Sequence, residues 1–219
     1  NKSSMVKLNK IKKINNKYQL FINVNGLFIS FYSQNDNKSH LLNILATIAS
    51  INLFIDIRKL EKNIFLNFVS PDGRGDISKV KLKNKQIFLV DETYNSNPLS
   101  LKTAIENYDK LIIKNSKKYL ILGDMLELGK HSLNQHRLIS GIINKTKINQ
   151  VYVIGKYIKE TFKGLKLNKK GKILNDNLSI INLINNDLNN NDYLMIKGSN
   201  STDLHSVTKN LKKRSSHAV

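Results

Sequence analysis

The sequence predicts an α/β fold with a mostly parallel sheet, preceded by a smaller β-rich segment. Short runs at 119–122, 150–154 and 193–197, apolar but for the terminal Gln150 and Lys197, suit strands covered on both faces. Stretches with helical spacing separate them, as in repeated βαβ units. Near the N-terminus, Asn25-Gly26 between two alternating runs is a strong short-range hairpin signal.

The elements follow in order. Residues 18–24 and 27–32 alternate and carry aromatic and β-branched side chains, as paired strands do. After a polar loop, 39–53 is helical, with Leu41, Leu45, Ile48 and Ala49 at three- and four-residue steps. A looser segment ends in the turn chemistry of Ser70-Pro71-Asp72-Gly73-Arg74-Gly75. Residues 87–90 form a strand, and Pro98 opens a helix over 100–113, since proline is tolerated in a first turn. A strand at 119–122 ends in Gly123-Asp124, a helix spans 133–143, and the strand 150–154 ends in Gly155. A helix-like piece at 156–162, a strand at 172–174, a helix at 178–188, a strand at 193–197 and a helix at 202–211 complete the pattern. The tail from 212 is expected to fray. A boundary near 91–98 gives two domains, 1–90 and 91–215.

Composition excludes several classes. The 219 residues include 36 basic and 16 acidic ones, for a net charge of +20, and no cysteine. Disulfide scaffolds, thiolate metal sites and cysteine nucleophiles are therefore out. The longest apolar stretch, 41–57, is interrupted by Asn43, Ser50, Asn52 and Asp56, which suits a buried helix better than a membrane span. No apolar signal segment opens the chain, so a soluble, cytoplasmic protein without membrane insertion is expected. Only Arg58, Arg74, Arg137 and Arg214 are arginine; the lysines are scattered and accompanied by Asn and Ile. That pattern favours a solvated surface over a nucleic-acid site.

In an open parallel sheet, ligands bind beyond the carboxyl ends of the strands. Two such places are rich in polar groups. Lys197-Gly198-Ser199-Asn200-Ser201 sets a cation and two hydroxyls before a helix, which suits an anion or an ordinary N-cap. Asp91-Glu92-Thr93-Tyr94-Asn95-Ser96-Asn97-Pro98 could hold ribose hydroxyls or a metal, or be a plain strand–loop–helix junction. No Gly-Lys pair continues into Ser or Thr, and no G-x-G-x-x-G occurs, so the usual phosphate loops are missing from this sequence. His131 and His136 are five apart, off the spacing of a helical metal pair, and no metal site is expected.

Taken together, residues 91–98, Leu-Gly-Asp-Met-Leu-Glu-Leu-Gly at 122–129, His136 and Lys-Gly-Ser at 197–199 resemble the C-terminal domain of the Mur ligases, in particular the MurF type. Residues 1–90 resemble the end of that family's central ATP-binding domain, with 41–49 matching its helix. The resemblance implies a Rossmann-like C-terminal domain after the end of an α/β ATPase domain. It also implies an ATP-dependent amide ligase of peptidoglycan synthesis, using Mg2+ and working as a monomer at full length. Its substrates would be UDP-N-acetylmuramoyl-tripeptide and D-alanyl-D-alanine, joined through an acyl phosphate. Matched residue by residue, the resemblance assigns Asn43, Arg74, Asp91, Glu92, Tyr94 and Asn95 to ATP. It assigns Asp124, Glu127, His136, Lys197 and Ser199 to the substrate side.

The sequence departs from the family pattern at Glu92, where aspartate is usual, at Ser39-His40, where His-Asn is usual, and at Asn200, where arginine is frequent. The family's phosphate loop, magnesium ligands, carbamylated lysine and sugar-binding domain are expected before residue 1. This chain alone is therefore expected to be inactive and to bind ATP weakly. Two alternatives stay open: another Mur-type amide ligase (MurE, folylpolyglutamate or cyanophycin type), and a non-catalytic basic binding domain. The 122–129 motif favours MurF.

Overall fold

Alternation and turn chemistry shape the N-terminal unit. In a computed structural model, which describes residues 5–36, 38–68, 72–82 and 84–216, the chain divides into two compact units, 1–70 and 71–219. In the first, β1 (Val6–Ile14), β2 (Lys17–Val24) and β3 (Leu27–Ser33) form an antiparallel sheet in that order. Asn25 and Gly26 both take positive φ, 49° and 91°, as a tight hairpin turn requires. Strand β1 escapes the pattern reading because its lysines at 7, 10, 12 and 13 mask the alternation of an edge strand. Helix α1 (Lys38–Ile51) packs Leu41, Ile44 and Ile48 against Leu20, Ile22, Phe31 and Phe65. It leaves Leu42 exposed, with Leu53 and Phe54 just beyond its end.

The second unit is a six-stranded sheet in the order β4-β5-β9-β6-β7-β8. Its members are β4 (Asp76–Lys81), β5 (Gln86–Glu92), β6 (Lys118–Gly123), β7 (Gln150–Ile154), β8 (Lys170–Leu174) and β9 (Tyr193–Lys197). Only β4 runs antiparallel to its neighbour. Helices α2 (Pro98–Lys110), α3 (Ser132–Ile143) and α4 (Lys159–Lys163) are linked to one face, through a core that includes Leu101, Ile105, Ile139, Leu120 and Met195. Helices α5 (Asn177–Asp187) and α6 (Leu204–Ser216) cover the other, with Ile180, Ile184, Leu204 and Leu211 against Leu89, Ile121 and Leu194. The apolar strand residues are thus covered on both faces, which is why these runs carry no alternation. Because β9 returns to lie between β5 and β6, the carboxyl ends of these three strands come side by side. Such a switch point is where open sheets bind ligands.

Two expectations shift. The division lies at 70/71 rather than near 91–98, because β4 and β5 are strands of the large sheet. Residues 212–216 are not a frayed tail: α6 runs to Ser216, and Lys212 lies within 2.6 Å of both Asp76 and Asp91, while 217–219 lie outside the described residues. Of the turn at 70–75, Ser70 and Pro71 lie outside the described residues. Among the described residues no helix is long and apolar enough to cross a membrane.

Candidate functional site at the carboxyl ends of β5, β9 and β6

The site is built from three loops. The first leaves β5, where Asp91 is buried and Glu92 half-buried. Asp91 accepts from the Thr93 amide and hydroxyl (3.1 and 2.6 Å) and from Lys212 Nζ. Burial opposes its ionisation, yet the Lys212 and Thr93 bonds win and hold the carboxyl below its ordinary range. Thr93 Oγ1, donating to Asp91, also lies 3.1 Å from His205 Nδ1 and 3.3 Å from Thr208 Oγ1, so with Lys212 α6 is tied to this loop at three points. Helix α2 then starts with Asn97 and Ser100 in a reciprocal capping box and Pro98 in the first turn.

The second loop follows β9. Lys197 is only 2% exposed, and its ammonium donates to Asn95 O at 2.9 Å and reaches Glu92 O and Oε2 at 3.4 Å. Burial pushes the Lys197 ammonium below its ordinary value although Glu92 opposes this, and burial pushes the Glu92 carboxyl up against the pull of Lys197. The pair is therefore poised toward lower ionisation than a surface pair. Gly198 faces Gly123 of the neighbouring strand; a Cβ on Gly198 would stand 3.2 Å from Gly123 Cα and 2.8 Å from Leu204 Cδ1. Ser199 makes no cap bond to the following turn. Its hydroxyl instead donates to Ser96 O (3.2 Å) and accepts from Leu126 N (2.9 Å), joining the three loops.

The third loop leaves β6. Asp124 O accepts from Ser199 N, and its carboxylate accepts from the amides of Lys156, Tyr157 and Ile158 at 2.7–2.9 Å. Gly155, at φ 136°, presses against that carboxylate, where a Cβ would stand at 2.6 Å. His136 is fully buried, between Met125 N (2.9 Å) and Ser132 O (2.7 Å). Glu127 is exposed and takes φ 63°, a left-handed conformation uncommon for glutamate.

The sequence-assigned residues fall into groups. Glu92, Asn95, Lys197, Ser199 and Asp124 come together at this end of the sheet. Arg74 and Tyr94 meet there too: the guanidinium sits 4.1 Å over the ring of half-exposed Tyr94, and Tyr94 N donates to Gly73 O. Asp91, Asp124 and His136 are interior groups whose polar atoms are taken up by the fold. Asn43 lies on the exposed side of α1 in the first unit. Sequence reasoning missed Lys212 and His205, whose partners Asp91 and Thr93 are more than a hundred positions away; no local pattern marks them. Among the described residues, two buried side-chain atoms lack a partner, His40 Nδ1 and Ser96 Oγ, the latter inside the β5 loop.

Comparison with known proteins adds to this geometry. Residues 77–200 match the Mur ligase, glutamate ligase domain. The chain is 30% identical over 169 residues to the UDP-N-acetylmuramoyl-tripeptide–D-alanyl-D-alanine ligase of Buchnera aphidicola subsp. Baizongia pistaciae, covering 76% of this chain and 34% of that protein. With the Bacillus subtilis protein of the same name it shares 24% over 200 residues, 86% of this chain and 41% of that one. Among solved structures, a MurF of Acinetobacter baumannii aligns with a TM-score of 0.73 at 18% identity, over 97% of this chain and 46% of that one. MurF of Thermotoga maritima in complex with ADP aligns at 0.67 and 20% identity, over 98% of this chain and 48% of that one. These structures share the fold, and the chain spans between about a quarter and a half of the proteins it matches. The matched domain covers the sheet and all three loops of the site, and on that ground the chain belongs to the Mur ligase family.

Proposed function

We propose that this chain is the C-terminal part of a cytoplasmic, MurF-type ATP-dependent amide ligase that joins D-alanyl-D-alanine to UDP-N-acetylmuramoyl-tripeptide. The observation that carries the reading is the meeting of the 91–98, 122–129 and 197–199 motifs at one switch point of a family-matched sheet. The names of the relatives support it.

In this reading ATP phosphorylates the terminal tripeptide carboxylate, the acceptor amine attacks the acyl carbon, and phosphate leaves. The protein's work is positioning and charge neutralisation. Arg74 stacked on Tyr94 offers a cationic platform for the nucleotide, with Glu92 and Asn95 beside it. Lys197 fixes Glu92 and Asn95 relative to each other. Glu127 presents its carboxylate on the side of the amine acceptor, and Ser199, Asp124 and His136 hold that loop. Asp91 acts through Thr93 and Lys212. Among the described residues no group of three His, Asp or Glu could hold a metal ion.

The test is phosphate release by the natural gene product that carries this chain, with both substrates present. Release that depends on D-alanyl-D-alanine supports the reading. Release with glutamate or a diamino acid instead would assign the chain to another branch of the family. A natural product that binds neither ATP nor acceptor would remove the enzymatic reading.

A further inference from the structure

The loop 124–128 holds a left-handed glutamate, and something must hold it there. Two amides on the N-terminal side of Glu127 are pinned by side chains from elsewhere: Met125 N by His136 Nε2 and Leu126 N by Ser199 Oγ. The His136 pin has a defined chemistry. Its Nδ1 lies 2.7 Å from the Ser132 carbonyl, which can only accept, so Nδ1 carries the proton. Its Nε2 lies 2.9 Å from an amide that can only donate, so Nε2 carries a lone pair. The ring has no solvent exposure, and its own carbonyl accepts from Thr161 Oγ1 at 2.6 Å, which ties α4 to the same point. The Asp124 carboxylate, 4.0 Å from Nε2, is committed to the 156–158 amides.

We infer that His136 is a positioning residue. As the neutral Nδ1–H tautomer, it sets the 124–128 loop so that Glu127 faces the amine acceptor, and it never touches substrate itself. The inference rests on the functional reading above for what the loop faces, but the pin can be tested without it.

The structure distinguishes two near-isosteric replacements. In His136→Gln the amide oxygen reaches the Nε2 position and can accept from Met125 N. In His136→Asn the shorter amide can serve Ser132 O but leaves Met125 N without an acceptor. Long-range 1H–15N spectra of this chain, with the His136 signal identified by its loss in H136Q, should show a protonated Nδ1 and a bare Nε2 at neutral pH. The Met125 amide should resist hydrogen exchange in the wild type and in H136Q, and exchange faster in H136N by roughly the tenfold or more that one buried hydrogen bond represents. In the natural ligase, H136N should raise the KM for D-alanyl-D-alanine about tenfold with ATP KM unchanged, and H136Q should restore it. A protonated Nε2, or equal exchange in both variants, overturns the pin whatever the enzyme does. Normal acceptor KM in H136N, in a ligase that is active, overturns the positioning role and leaves the functional reading intact. If the natural product proves inactive on D-alanyl-D-alanine, that reading falls, and with it the acceptor-facing role of the loop.

Discussion

At the level of single residues, buried charge decides the behaviour of this site. Lys197 is a cation with almost no exposed surface, paired to a glutamate at 3.4 Å and a carbonyl at 2.9 Å. Its loss in Lys197→Met leaves Glu92 and Asn95 O without their donor, at an expected cost of about 2 kcal/mol in urea denaturation. Glu92 can still protonate, which is why the figure stays below that of a sealed pair. Asp91 has the opposite character. Its folded pKa lies below the ordinary 3.8, so its stabilising contribution is present above that value and disappears as pH falls through the folded value. The stability gap between wild type and Asp91→Asn should therefore be largest near neutral pH and shrink below about pH 4 in parallel denaturation series. Little of this was legible in advance. Strand-end position singled out Asp91 and Asp124, and the family resemblance His136, yet whether each faces a ligand or the interior depends on the partners it meets in the fold.

At the level of elements, the lysine-rich composition gains a structural meaning. Lys118 donates to Asp109 O and Leu111 O at the end of α2, and Lys85 to Asn185 O and Leu188 O at the end of α5. Lys169 does the same for Thr146 O and Ile148 O in the turn beyond α3. Cations placed there satisfy carbonyls that the helix ladder leaves open. Lys118→Met should cost about 1–2 kcal/mol, with faster amide exchange confined to the end of α2 and its following turn. A sharper element test is Gly155→Ala. The positive φ and the Asp124 carboxylate both oppose a Cβ, so a loss of at least about 2 kcal/mol is expected, with the 156–158 amides losing protection first. The helices and central strands were readable from periodicity, because burial on both faces leaves continuous apolar runs. Strands β1 and β4 were not, since edge strands rich in lysine and serine blur the alternation.

Across the whole molecule, the charge of +20 invites a nucleic-acid reading, and the structure accounts for part of it differently. Lys85, Lys118, Lys169, Lys197 and Lys212 all serve carbonyls or carboxylates within the fold. Binding to duplex DNA should accordingly be non-specific and fade by about 0.2–0.3 M salt; retention of sequence-specific binding there would restore the basic-domain alternative. The sequence by itself determined the α/β class, the hairpin, the helices and the family, because periodicity, turn residues and motif spacing are local properties of the chain. Only the tertiary structure decided that the first unit ends at 70, that β9 lies between β5 and β6, and which site residues face inward. The reason is physical: strand order and the satisfaction of buried charge come from contacts between residues as much as 136 positions apart, such as Asp76 with Lys212, and no local pattern encodes them.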